Sequence, residues 1–218
     1  MTLSRRTLLA AGATGTLALT AGCLDFVRGN GPLELQSERA APTDAALEDA
    51  GYETHEIEEE SIDETVEVGV ERDVHASIWT SIYSKEVEYR GYEHEGSFFA
   101  AVSVPDVSVL GYSVNPIADM SNEDLLEEFI GQLDGDHGSI ENITHQESFS
   151  LEILGDGRDV DVFEGETDLE GESIDVEIAL TSFAHEDDII VLLGSYPAAL
   201  AEESANAEVL MESVEHPV

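Results

Sequence analysis

Basic residues are scarce in this chain. Of its 218 residues, eight are lysine or arginine and 49 are aspartate or glutamate, giving a formal charge of −41 at neutral pH. Lys85 is the only lysine. Phosphate-bearing partners are held by basic patches, so nucleic acid is excluded, and so are anionic membrane surfaces as electrostatic partners. Cysteine occurs once, at Cys23, which excludes an internal disulfide framework in any compartment. The sequence has no Gly-x-Ser-x-Gly elbow, no phosphate loop and no two histidines four apart. Nucleophilic catalysis and the zinc-hydrolase pattern therefore find no support, and no cofactor is implied.

What is present argues for a folded body. Apolar residues make up 42%, with seven Phe, six Tyr and a β-branched run at 189–193. Acidic residues run through every segment after residue 33, interleaved with apolar positions. That is a charged surface over a core. Self-repulsion on this scale reaches the order of tens of kcal/mol in dilute buffer, against net stabilities of about 5–15 kcal/mol. In molar salt the screening length falls to about 3 Å and most of the penalty vanishes. The composition thus points to a salt-loving host.

The N-terminus reads as an address. Ser4-Arg5-Arg6-Thr7-Leu8-Leu9 resembles a twin-arginine export signal, with Arg5 and Arg6 as the pair. An apolar stretch rich in alanine and glycine follows, at 8–19, and Thr20-Ala21-Gly22-Cys23 resembles a lipobox. The stretch is short for a span, which needs about 20 residues. Residues 1–22 are expected to be a signal peptide, and Cys23 to carry a lipid holding the protein on the outer face of the cytoplasmic membrane. Residues 23–43, with Gly29, Gly31, Pro32 and Pro42, read as a flexible tether, leaving 44–218 as one globular domain.

Within that domain the expected class is α+β: a curved antiparallel meander flanked by helices, closing on a C-terminal amphipathic helix. A short helix is expected between Pro42 and Gly51. Apolar–acidic alternation then gives one or two strands at 52–72, a long strand at 74–89 and a third at 98–104. Ser121-Asn122-Glu123-Asp124 signals a helix start. The last third alternates as four strands, at 149–154, 160–165, 174–183 and 189–195. Ser195 is expected to cap a final helix opening at Pro197.

Residues 95–216 share a pattern of meander plus helix, ending in Gly194-Ser195-Tyr196-Pro197, that resembles the Mog1/PsbP-like fold. That resemblance implies an antiparallel sheet packed between helices. The whole chain looks more like a family of haloarchaeal lipoproteins with no assigned function. The residues that carry the likeness are Ala50-Gly51-Tyr52, Val107-Ser108-Val109-Leu110-Gly111 with Asn115-Pro116, Met120-Ser121 and Phe163-Glu164-Gly165. This likeness implies export and anchoring, and no catalytic residues.

Several clusters could carry chemistry. His185-Glu186-Asp187-Asp188 could converge on a hard cation in a turn, or be a solvated acidic turn. Asp134-Gly135-Asp136-His137-Gly138 begins like a calcium loop but lacks its later glycine and glutamate. Trp79 and Tyr83 share one side of a strand and could line a ligand groove, or pack in the core. Asn142-Ile143-Thr144 is an N-glycosylation sequon at Asn142. The functional expectation is a membrane-anchored, non-enzymatic module that binds a protein or small molecule. The alternatives are an extracytoplasmic hydrolase or metal-dependent enzyme, and a structural envelope component.

Overall fold

The computed structural model describes residues 32–67, 71–89, 92–106, 108–109, 112–113, 115, 117, 120–133, 140–169 and 172–218. The first half contains β1 (Leu33–Gln36), β2 (Ala41–Pro42), helix α1 (Asp44–Ala50), β3 (Glu53–Glu67), β4 (Glu71–Tyr89), β5 (Tyr92–Pro105), β6 (Ser108–Val109) and β7 (Tyr112–Ser113). The second contains α2 (Asn122–Leu133), β8 (Ile140–Ile153), β9 (Asp156–Leu169), β10 (Glu172–His185), β11 (Asp188–Pro197), α3 (Ala201–Glu212) and β12 (Val214–Glu215).

Eight strands form one sheet. From one edge the order is β3, β4, β5, β11, β10, β9, β8, each antiparallel to the next. β1 joins parallel to β4 along residues 74–77, next to the stretch from Trp79 onward that pairs with β5. The sheet is therefore two meanders joined through the central pair β5 and β11, with one parallel strand added.

This architecture corrects the expected α+β class. Among the described residues strands up to 19 residues long dominate, the sheet is mixed, and the helices are short patches of 7, 12 and 12 residues. Of the one or two strands expected at 52–72, the structure shows one long strand, the 15-residue β3. The C-terminal helix is also shifted. β11 runs on through Pro197, with Ser195 paired to Ile178 and Phe98, so Ser195 caps nothing and α3 starts at Ala201. Nor is α3 cleanly amphipathic: it buries Glu203 and exposes Val209.

Local chemistry explains the other helix ends. Thr43 Oγ1 accepts from the Ala46 amide, and Gly51 closes α1 at φ 77°, a left-handed conformation that glycine adopts without steric cost. Ser121 Oγ accepts from the Asp124 amide while Asp124 accepts from the Ser121 amide, a reciprocal cap at the start of α2. The Ser121 hydroxyl and amide both donate to the Asp124 carboxylate and hold it below its usual range.

The two sheet faces bury different cores. On one, Tyr83, Phe99, Ile190 and Leu192 of the sheet share a core with Leu47 of α1 and Leu210 and Met211 of α3. On the other, Phe163, Ile178 and Leu180 share a core with Leu125 and Leu126 of α2. β11 is central and buried along most of both faces, which is why its sequence is a continuous apolar run. Each fully buried Leu, Ile or Phe contributes about 1.5–3 kcal/mol. β3 is the opposite case. It is an edge strand whose residues 53–61 are all exposed, and eight of its fifteen residues are acidic. Charge of this density keeps an open edge from pairing with another chain.

Of the segment expected to be a tether, the described residues 32–43 belong to the fold. Beyond β1, Ser37, Ala40 and Ala41 are buried, and the Ser37 hydroxyl reaches the carbonyl oxygens of Ser77 and Ser103 at 2.9 and 3.0 Å. β12 pairs with β2, and the Val218 amide donates to the Arg39 carbonyl. The folded body thus takes in β1 and the residues that follow it.

Candidate functional site

A concavity lies where α2 crosses the distal part of β8 and β9, and it exists because β8 is irregular. Glu141 pairs with Glu166 and Thr144 with Glu164, so Asn142 and Ile143 together oppose Gly165 alone. A second extra residue, Gln146, stands between the pairs His145–Phe163 and Glu147–Val162. Such bulges bend a strand and re-aim its side chains. In a regular strand, residues 140 and 142 would face one side and 143 and 145 the other. The first bulge reverses the alternation, and all four line one cleft. Asn142 absorbs the bend at φ 57°, a left-handed conformation that Asn tolerates better than most residues.

The cleft has a volume of about 270 Å³, just under the usual small-molecule range of roughly 300–1,000 Å³. Its floor is Leu126, Ile140, Ile143 and Phe163. Its rim is Glu123 and Glu127, one turn apart on α2, with Asn142 and His145 across from them. Gly165 makes room for the floor: a Cβ there would stand 2.6 Å from Ile140 Cγ2.

Asp161 fastens the walls together. It accepts from Asn122 Nδ2 at 2.8 Å, which ties the first residue of α2 to β9, while Ser182 on β10 donates to Asn122 Oδ1. Ser148 Oγ donates to Asp161 Oδ1 at 2.5 Å, and His145 Nε2 stands 3.2 Å from the same oxygen. Burial alone raises the Asp161 carboxyl, but the hydrogen bonds from Ser148, Asn122 and His145 outweigh it and hold the group below the usual carboxylate value. The His145 ring meets Phe163 edge-on at 5.4 Å.

Histidine, serine and aspartate here invite comparison with a nucleophilic relay, and the geometry argues against one. Ser148 and Asp161 both approach the same nitrogen, Nε2, of His145. A relay needs the carboxylate on the opposite ring nitrogen. The serine proton is instead committed to Asp161. The cluster orders the cleft wall.

The residues singled out from sequence fall elsewhere, with one exception. Arg5, Arg6, Cys23 and the loop at 134–138 lie outside the described residues. Tyr83 is buried in the main core and its hydroxyl receives Arg39 Nη2 at 3.2 Å. Trp79, four residues earlier on the same strand, is half-buried. In the 185–188 turn the side chains diverge. Glu186 sits at φ 55° and is exposed, and Asp187 is exposed too. Asp188 turns inward to accept from the Glu38 amide at 2.8 Å and to meet His216 Nε2 at 3.0 Å. Burial raises the Asp188 carboxyl, opposed by the hydrogen bonds from Glu38 and His216. His185 stands edge-on to the His216 ring at 5.5 Å. Among the described residues, no three histidine, cysteine or acidic side chains are placed to hold a metal ion. The exception is Asn142, which is exposed on the cleft rim with Nδ2 donating to Glu166 at 2.5 Å. Sequence reasoning missed Glu123, Glu127, His145, Ser148 and Asp161. The one available signal was the break in alternation at Ile143.

Comparison with curated proteins finds no match. A family model described as a domain of unknown function, DUF6517, matches residues 39–215, which take in both cores and the whole cleft. The chain therefore belongs to the DUF6517 family.

Proposed function

We propose that this is an exported lipoprotein of a salt-loving archaeon, held by a lipid on Cys23 to the outer face of the membrane, and that it works there by binding in the cleft under α2. The observation that carries the binding reading is the cleft: an apolar floor edged by polar groups, with the proton of the adjacent Ser148 donated to Asp161. The address rests on the leader, where Arg5, Arg6 and Cys23 stand in the order an export signal and lipobox require. Nine residues separate Cys23 from β1. At roughly 3.3–3.6 Å per residue they span about 30 Å when extended, so the anchored domain would stay close to the lipid surface. The carboxylate coat suits that location only in brine.

The test of the address is Cys23→Ser in a halophilic archaeal host. The natural chain should fractionate with membranes and show a lipid-modified N-terminal peptide by mass spectrometry, while the variant should lose both. A wild-type chain with an unmodified Cys23 would remove the lipoprotein reading.

A further inference from the structure

We infer that the cleft under α2 takes a small primary ammonium ion with a short apolar body. The inference rests on the binding reading above and names the chemistry of its ligand. Three features of the rim lead to it.

First, the rim offers acceptors. Glu123 and Glu127 present carboxylates, and the Asn142 amide nitrogen is already engaged with Glu166, which leaves its carbonyl oxygen for the cleft. His145 has Nε2 occupied by Asp161 and Ser148. Carboxylates and an amide carbonyl are satisfied by N–H donors. A quaternary ammonium has none, whereas a primary ammonium has three.

Second, among the described residues no cation from the protein meets the carboxylates. Of the basic residues whose side chains are described, Arg39 reaches Ser81 and Tyr83, Lys85 pairs with Glu203, and Arg158 pairs with Asp156 while lying over the Phe183 ring. Among the described residues no cation pairs with Glu123 or Glu127. A ligand cation would supply that charge at the edge of an apolar floor, where contact pairs are stronger than in bulk water.

Third, the floor is apolar and small. Leu126, Ile140, Ile143 and Phe163 offer only apolar surface, within about 270 Å³. A chain of a few methylenes gains about 0.8 kcal/mol per buried CH₂, and a drug-sized body exceeds the space. Anions are opposed twice, by the rim carboxylates and by the charge of −41.

Three probes that differ only in the head group separate these contributions: pentylammonium, pentanol and pentanoate, titrated into the full chain in molar potassium chloride. At that salt the long-range field of the acidic coat is screened within about 3 Å, so only direct contact distinguishes the probes. Heat of binding and the NMR shifts of Ile143 and His145 give the readout. The expected order is pentylammonium, then pentanol, then pentanoate, with the first about tenfold tighter than the second, as one charged hydrogen bond provides. Glu123→Gln with Glu127→Gln should erase that tenfold advantage and leave pentanol unchanged. Both side chains are exposed, so the variant should fold, and its unfolding temperature verifies it. If pentanol binds as tightly as pentylammonium, or if the double variant keeps the preference, the ammonium assignment is overturned while the cleft remains a binding site. If none of the three binds or shifts Ile143 and His145, the cleft reading itself falls and takes the assignment with it.

Discussion

At Gly165 the room for a side chain is already taken. A methyl group there would lie 2.6 Å from Ile140 Cγ2 and 3.3 Å from the Glu141 carbonyl oxygen. Ile140 is β-branched and stiff at χ1, so it cannot swing aside cheaply. Gly165→Ala should cost about 1–3 kcal/mol, as overpacking typically does, and should also weaken ligand binding because Ile140 floors the cleft. Thermal unfolding and a pentylammonium titration of the variant check both. An unchanged unfolding temperature would mean the bulge at Asn142 and Ile143 does not depend on glycine. The residue scale was the least legible in the sequence. Asn142 stood out only as a sequon, and nothing local marked Asp161 or His145, because their meeting depends on a cross-strand register that two extra residues in β8 have displaced. The inward turn of Asp188 was equally hidden. Its partner, His216, lies 28 residues away, on the C-terminal tail.

Helix α3 is held to the sheet by an ion pair as well as by apolar contact. Lys85 Nζ on β4 lies 2.5 Å from Glu203 Oε1, and the Tyr52 hydroxyl donates to Glu203 Oε2 at 3.3 Å. The Glu203 side chain is 5% exposed and that of Lys85 19%, so both charges are largely removed from water. Burial and the neighbouring Glu203 carboxylate push the Tyr52 hydroxyl pKa up. Deleting one partner of a buried pair costs about 3–5 kcal/mol, while replacing both by apolar residues is often neutral. With Lys85 partly wet, Glu203→Ala should cost about 2–3 kcal/mol in urea unfolding at molar salt, and Lys85→Met with Glu203→Leu should recover most of it. A single-variant cost under about 1 kcal/mol would show that the pair contributes little to docking α3. Element boundaries were legible where chemistry punctuates them. Thr43 and Gly51 bracket α1, and Ser121 with Asp124 opens α2. They were not legible at Pro197, which suits a helix start but here ends the long strand β11, and α3 opens without a side-chain cap.

The molecule as a whole is a dry sheet inside an anionic coat. Pattern reached the core: the run at 189–193 became the central strand β11, and the alternation of the last third became β8 to β11. It did not reach the class. Only four residues make β1, and their pairing with β4, some forty residues on, turns the sheet mixed and draws the expected tether into the fold. Four-residue strands carry too short a period to be told from a loop. The outer strand β3, exposed through residues 53–61, shows the consequence of the coat most clearly: its carboxylates are held at strand spacing with water on one edge. Compaction brings these charges closer than they stand in the unfolded chain, and dissolved ions must offset the difference. Thermal unfolding of the full chain from dilute buffer to molar potassium chloride measures this directly. The midpoint should rise by roughly 10–20 °C, equivalent to about 5 kcal/mol for a chain of this length. A midpoint that stays within about 2 °C, a shift worth less than about 1 kcal/mol, across that range would contradict the account.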